Sequence, residues 1–267
     1  MDTPPPPPII VGPKEPHTHT VIFLHGRGGS ADNLVASLTY WSDSQGRTLA
    51  EIFPSFRWVY PRAPIGHSAA FPGDKIAQWF DNWNVRDFTD REEVQAPGLR
   101  QSVARMLGIL EEEAKALDGR WERLVLMGIS QGGATIVHTL LHLHRLAPRL
   151  GALVGYSCRM PFAGRSLPET RRILRPDDSS GDNNTEALKG TPILLEHCVD
   201  DPLVLVGMGR TLRDTLRGFG AHVTWVEYPD GGHWLNSPRG VEDAAQFLSR
   251  ALGCEPAPVG NPDVIHK

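Results

Sequence analysis

Ser130 is bracketed by Gly128 and Gly132 in the run LVLMGISQGGA, where an apolar, β-type stretch gives way to a helical one. A serine at such a junction sits on a sharp turn with its hydroxyl presented above the strand end, and the flanking glycines let the helix pack closely on the strand. Unpaired N–H groups at the start of that helix point at the same spot, where a tetrahedral oxyanion would gather charge. Gln131 supplies one of them. The chemistry suggested is acyl transfer through serine. A serine hydroxyl is a weak nucleophile at neutral pH and needs a nearby base with a pKa near 7, for which histidine is the usual choice. Of eleven histidines, His233 in YPDGGHWLN lies just past a β-rich stretch, in a Gly-Gly turn from which a ring could reach over the sheet edge. An acidic group to orient that ring belongs in the loop after the preceding strand. There ILLEHCVDDPLV offers Asp200 and Asp201, which chemistry alone does not separate, and Asp230 is a remote third candidate.

Other residues have plainer readings. Ser130 would also serve as a cap for the helix that follows it. His138 and His142 have the i, i+4 spacing of a helical metal pair, but Thr139 stands where HExxH has glutamate and no third ligand is evident, so they read as packing or surface histidines. Cys198 sits beside the acidic loop, and a free cysteine in an apolar strand is usually inert core. Trp79, Phe80, Trp83 and Trp234 either line an acyl pocket or pack ordinarily; Trp79 and Trp234 are taken as the substrate-binding pair.

These residues need a scaffold that delivers several strand ends to one place. Short apolar runs at 20–24, 56–60, 123–129, 152–157, 193–197 and 223–228 alternate with helical patterns at 99–117, 132–146, 207–217 and 241–252. Such alternation predicts an α/β fold, a mostly parallel sheet flanked by helices. In the first helical pattern, Val103, Met106, Leu107, Leu110, Ala114 and Leu117 fall at 3-and-4 spacing. The organisation expected is a disordered Pro-rich leader over 1–16, one domain over 17–253, an exposed insertion near 163–190 that carries no core, and a frayed tail over 254–267.

With 267 residues, 40% of them hydrophobic and 22% charged, the chain has the apolar material for one large globular domain. The 27 basic and 31 acidic side chains give a net charge of −4, without the basic excess that a nucleic-acid surface needs. No apolar run reaches the roughly 18–20 residues of a membrane span, and the N-terminal MDTPPPPP lacks the regions of a signal peptide. Three widely spaced cysteines form neither a disulfide framework nor a metal knuckle, which fits a reducing, cytoplasmic setting.

Five segments in order, FLHGRGGSADN (23–33), YPRAPI with QWFD (60–65 and 78–81), GISQGGA (128–134), HCVDDPLV (197–204) and YPDGGHW (228–234), resemble the phospholipase/carboxylesterase family, which includes acyl-protein thioesterases and lysophospholipase-like carboxylesterases. The resemblance covers about 20–252 and implies a single-domain α/β-hydrolase fold, no cofactor, and hydrolysis of carboxylic esters or acyl thioesters, with an acylated protein or a lysolipid among the possible substrates. It carries the nucleophile to Ser130, the acid to Asp201, just before Pro202, and the base to His233, in the serine, aspartate, histidine order of such enzymes. It makes the backbone N–H of Arg27 the second oxyanion donor beside Gln131. The family usually has Leu at the position of Arg27, Asp at Gly29 and Gly at Cys198. A guanidinium at the pocket mouth is expected to favour a carboxylate or phosphate on the substrate, and substrate loops are expected at 66–75 and 163–190. Other readings are a narrow small-ester or biosynthetic thioesterase, a serine peptidase, and a catalytically silent hydrolase-fold binding protein.

Overall fold

The computed structural model describes residues 6–175 and 183–258. In chain order its elements are β1 (Ile9–Val11), β2 (His19–Leu24), α1 (Ala31–Leu38), α2 (Leu49–Ile52), β3 (Phe56–Tyr60), β4 (Ile65–His67), β5 (Lys75–Ala77), α3 (Gln95–Lys115), β6 (Leu124–Ile129), α4 (Gln131–His142), β7 (Ala152–Tyr156), α5 (Leu167–Leu174), α6 (Glu186–Gly190), β8 (Ile193–Cys198), α7 (Val206–Gly218), β9 (Val223–Tyr228) and α8 (Arg239–Leu252). A seven-stranded sheet runs in the order β1-β3-β2-β6-β7-β8-β9. All neighbours are parallel except β1, which pairs antiparallel with β3 at the edge. β4 and β5 form a separate hairpin.

β2 and β6 are buried along their whole length, as strands covered on both faces must be. Successive side chains alternate between those faces. Ile22, Leu24, Leu124, Leu126, Leu153 and Leu195 join the layer built with α3 and α4, while Val21, Phe23, Val125, Met127, Val154 and Leu194 join the layer with α1, α2 and α8. α4 has every residue buried, its polar Thr135, His138, Thr139 and His142 included, so it is enclosed on all sides.

Three boundary expectations change. The proline-free Ile9–Val11 inside the presumed leader pairs with Trp58–Tyr60. Its N–H groups can join a ladder, and on an edge strand the neighbouring prolines need no second partner. Prolines 4 and 5 lie outside the described residues. The segment 163–190 does carry core: Leu167, Leu174, Ala187 and Leu188 pack against the layer containing α4. Its start is marked by a capping box, Ser166 with Glu169, which the Arg- and Pro-rich composition obscures; residues 176–182 lie outside the description. At the C-terminal end Ala257 docks on the body, its N–H donating to the Ile52 carbonyl at 2.8 Å and its carbonyl accepting from Arg47 Nη1 at 2.8 Å.

Candidate active site

A cleft in an open parallel sheet forms beyond the carboxyl ends of the strands. The loops after β2, β6, β7, β8 and β9 all contribute to one cavity of about 770 Å³, lined among others by Arg27, Ser130, Gln131, Arg159, Leu203, His233 and Trp234. This is within the usual size range of small-molecule sites.

Ser130 follows the last residue of β6 with φ 56° and ψ −120°, a strained conformation for a residue with a side chain. Two contacts hold it there. Its N–H donates to the Tyr156 carbonyl at 2.9 Å and its carbonyl accepts from the Ala134 N–H at 3.0 Å. Gly128 and Gly132 are required by close approach: a Cβ on Gly128 would lie 2.7 Å from the Gly132 carbonyl carbon, and one on Gly132 would lie 2.6 Å from the Leu24 and His25 carbonyl oxygens. α4 thus starts directly behind Ser130, bringing its positive dipole end to the hydroxyl. Among the described residues, neither the Arg27 nor the Gln131 backbone N–H donates to a protein acceptor.

The adjacent carboxylates do different things. Asp201, buried, places Oδ2 2.8 Å from His233 Nδ1, and its Oδ1 accepts from the N–H groups of Leu203 and Val204 at 2.9 Å each. Burial alone would raise its pKa, but hydrogen bonds from His197, His233, Val204 and Leu203 outweigh that and hold the carboxyl well below the usual carboxylate range. With an ionised acceptor at Nδ1, the His233 ring carries its proton there and turns Nε2 outward as an acceptor. Asp200 faces the other way and accepts from Gly232 N–H at 2.8 Å and Gly231 N–H at 3.3 Å, which clamps the turn carrying His233. Sequence spacing did not show that second role.

Several further supports were not legible in advance. His25 accepts the Ala63 N–H at Nε2 (3.2 Å), so its Nδ1 donates to the Gly26 carbonyl at 2.8 Å and braces the loop that carries the Arg27 N–H. The Gln131 side chain accepts from Trp79 N–H at 2.8 Å and donates to the Phe80 carbonyl at 2.6 Å. Its backbone and its side chain therefore face different partners. His197, one turn of loop before Asp201, bonds through Nε2 to the Val204 carbonyl at 2.7 Å.

The expected substrate-binding pair divides. Trp234 lines the cavity. Trp79 does not: it is 1% exposed, and its indole N–H donates to the His25 carbonyl at 2.7 Å, making it a strut beneath the loop after β2, while its neighbour Phe80 faces the cavity. Arg27 lines the mouth, but Nε donates to Gln78 Oε1 at 3.2 Å and Nη2 to Ser68 Oγ at 2.8 Å, so it ties the β4–β5 hairpin to the loop after β2. That hairpin contributes Phe71 to the lining, whereas no described residue of 163–190 does. Cys198 is buried, and burial followed by the nearby Asp200 and Asp201 charges pushes its thiol up to about 11, so it stays protonated and unreactive. His138 and His142 are core residues of α4; His142 Nδ1 lies 2.7 Å from the His138 carbonyl.

Residues 6–252 match the family model for phospholipase/carboxylesterase. The chain belongs to this family. As a member of the phospholipase/carboxylesterase family, it is 26% identical over 249 residues to acyl-protein thioesterase 1 of Gibberella zeae, covering 92% of this chain and 95% of that protein. It is 28% identical over 259 residues to acyl-protein thioesterase 1 of Cryptococcus neoformans, covering 91% and 97%. Zea mays acyl-protein thioesterase 2 shares the fold with a TM-score of 0.71 at 24% identity, over 92% of this chain and 99% of that one. Bacillus cereus carboxylesterase does so with a TM-score of 0.63 at 19% identity, over 91% and 93%. The phospholipase/carboxylesterase chain is an ester-bond hydrolase built on the α/β-hydrolase fold.

Proposed function

We propose that this hydrolase cleaves carboxylic esters and acyl thioesters through an acyl-enzyme on Ser130. The observation that carries this reading is the Asp201–His233 hydrogen bond of 2.8 Å opening on the same cavity as the strained Ser130 turn. His233 Nε2 takes the hydroxyl proton as Ser130 Oγ bonds to the acyl carbon. Asp201 holds the ring and stabilises the imidazolium. The carbonyl π electrons move onto oxygen, which the Arg27 and Gln131 N–H groups receive. Collapse expels the alcohol or thiol, which takes the proton from His233. Water, deprotonated by the same nitrogen, then releases the acid and free Ser130.

Thioesters are included because the curated relatives are acyl-protein thioesterases. A substrate with a large apolar carrier is favoured because Leu203, Leu205 and Trp234 line the cavity on the His233 side and remain 61%, 56% and 38% exposed, an apolar rim on which the leaving-group half rests. We place the activity in the cytoplasm, in keeping with three unpaired cysteines; among the described residues no helix is long and apolar enough to cross a membrane. A fluorophosphonate should label the protein and block hydrolysis of matched acyl esters and thioesters, and Ser130→Ala should abolish both. Labelling that persists in Ser130→Ala would sink the assignment.

A further inference from the structure

One cation in the cavity wall has no role in the chemistry above. Arg159, three residues past the end of β7, is 8% exposed and lines the cavity. Its Nη2 donates to Asn82 Oδ1 at 3.0 Å and Gln95 Oε1 at 2.9 Å, and its guanidinium carbon lies 4.0 Å from the Phe88 ring centre and 5.9 Å from that of Phe80. All of these partners are neutral. They fix the orientation of the guanidinium and leave its charge uncompensated. Among the described residues Arg159 joins no salt bridge, and the acid that influences it, Glu92, is ion-paired with Arg165. Among the described residues Nε and Nη1 donate to no protein acceptor, and neither is a fully enclosed atom. Burial lowers the pKa of the group to about 9, which leaves it cationic at neutral pH.

Burying a cation without a counter-ion is costly, and a fold that keeps one in a cleft has met that cost before any ligand arrives. The rest of the wall agrees in sign. Among the described residues Arg27, Arg86 and Arg159 line the cavity and no aspartate or glutamate does, although the chain as a whole carries −4. Arg86 is exposed, and Arg27, only partly buried, spends Nε and Nη2 on Gln78 and Ser68, whereas Arg159 makes both of its bonds through Nη2, so Arg159 is the buried cation with more donors left for a ligand. The aromatic residues beside it, Phe80 and Phe88, belong to the wall from the β5–α3 connection, whereas the leaving group must sit by His233 in the loop after β9.

Resting on the assignment of Ser130 as nucleophile, we infer that this enzyme prefers substrates whose acyl chain ends in a carboxylate, which Arg159 receives by charge-assisted hydrogen bonds. A single guanidinium among apolar rings balances one negative charge, which suits a carboxylate better than a doubly charged phosphate.

The test uses the full chain and p-nitrophenyl esters of adipate, suberate and sebacate with a free distal carboxylate, each against its distal methyl ester. For the wild type kcat/KM should favour the free carboxylate by about tenfold or more at one of these lengths, and Arg159→Gln should lower that ratio roughly 10- to 100-fold, with Arg159→Lys recovering part of it. The wild-type ratio needs no variant to fold. Equal or lower rates on the carboxylates overturn the inference while leaving Ser130 in place, provided the methyl esters are hydrolysed and Ser130→Ala is inactive. No hydrolysis of any ester would instead strike the reading on which it rests. Carboxyphenyl alkanoates supply the other arm: a preference for charge on the alcohol half alone overturns the acyl assignment, and an unchanged ratio in Arg159→Gln overturns the role of that residue.

Discussion

The two sides of the cavity are built differently. On one side Ser130, Asp201 and His233 follow the parallel strands β6, β8 and β9, the first two buried along their length, and the loops are anchored through backbone groups: Tyr156 to Ser130, Leu203 and Val204 to Asp201, Gly231 and Gly232 to Asp200. On the other side, the hairpin 65–77 and the segment 78–95 are held by one backbone bond to the loop after β2, Gly28 N–H to the Ala77 carbonyl at 2.7 Å, and otherwise largely by side chains, with Arg27 reaching Gln78 and Ser68, Gln131 reaching residues 79 and 80, and Arg159 reaching Asn82 and Gln95. Backbone anchoring at sheet ends places reacting atoms without regard to side-chain identity, whereas side-chain anchoring can be rewired by single substitutions. On the mechanism proposed above, chemistry is positioned by the first side and selectivity by the second.

The strongest way to break this comparison lies in the neighbouring aspartates. Asp201→Asn replaces the ionised acceptor at His233 Nδ1 with an amide and should lower kcat by about 10³- to 10⁴-fold, with little change in KM if chemistry is rate-limiting. Asp200→Ala removes only the clamp on Gly231 and Gly232 and should cost roughly tenfold, through misplacement of the ring. Comparable losses from both would mean that Asp200, not the geometry at Asp201, governs the imidazole. Steady-state kinetics on one activated ester decides between them.

The same division explains what could be read from the chain. Ser130 and His233 were legible because the glycines that a strand-to-helix turn and a tight loop require are adjacent in sequence, so a local string reports a local geometry. Asp201 was separable from Asp200 only through Pro202. The second wall left no such trace: Arg159 lies 77 residues from Asn82 and 64 from Gln95, a separation that no periodicity reports. Trp79 was misread for a related reason. The two aromatic residues sit on a bend just past β5, where no periodicity reports which side chain turns to the cavity; Phe80 took it and Trp79 went beneath. In the fold, the long apolar strands and α3 were plain from their patterns, while the three-residue β1 and the capped α5 were hidden by proline- and arginine-rich surroundings.

If the chemical side depends on the sheet and α4, conditions that attack that layer should remove activity by unfolding. His138 and His142 are buried in α4, and burial chiefly lowers their pKa values to about 3 and about 4. Both lie below the ordinary imidazole value of about 6.5, so the unfolded chain binds protons that the folded chain does not, and stability is retained above about pH 6.5 and lost as pH falls toward 4. Each histidine should cost about 2 kcal/mol between pH 7 and pH 5. Thermal melts over that range should show a falling Tm, and the fall should be shallower in His142→Gln. A Tm that holds from pH 7 to pH 5 would show that these rings are protonated in the native state.

The smallest effect is expected at Arg27, and it sharpens the comparison within the second wall. By sequence this guanidinium was the expected reader of substrate charge, but Nε and Nη2 are taken by Gln78 and Ser68, and its ring contact is with Phe71, 5.6 Å away. Its contribution is mechanical, since both hydrogen bonds run to the hairpin segment that closes one side of the mouth. Arg27→Leu should therefore speed amide exchange and proteolysis in 65–77 and lower kcat/KM by a similar factor, about two- to fivefold, on carboxylate-ended and methyl-capped esters alike. The oxyanion N–H is a backbone group and survives the substitution. A selective loss on the carboxylate-ended esters would move the reading of charge from Arg159 back to the mouth, and would make selectivity a property of the loop after β2 instead of the wall built on β7.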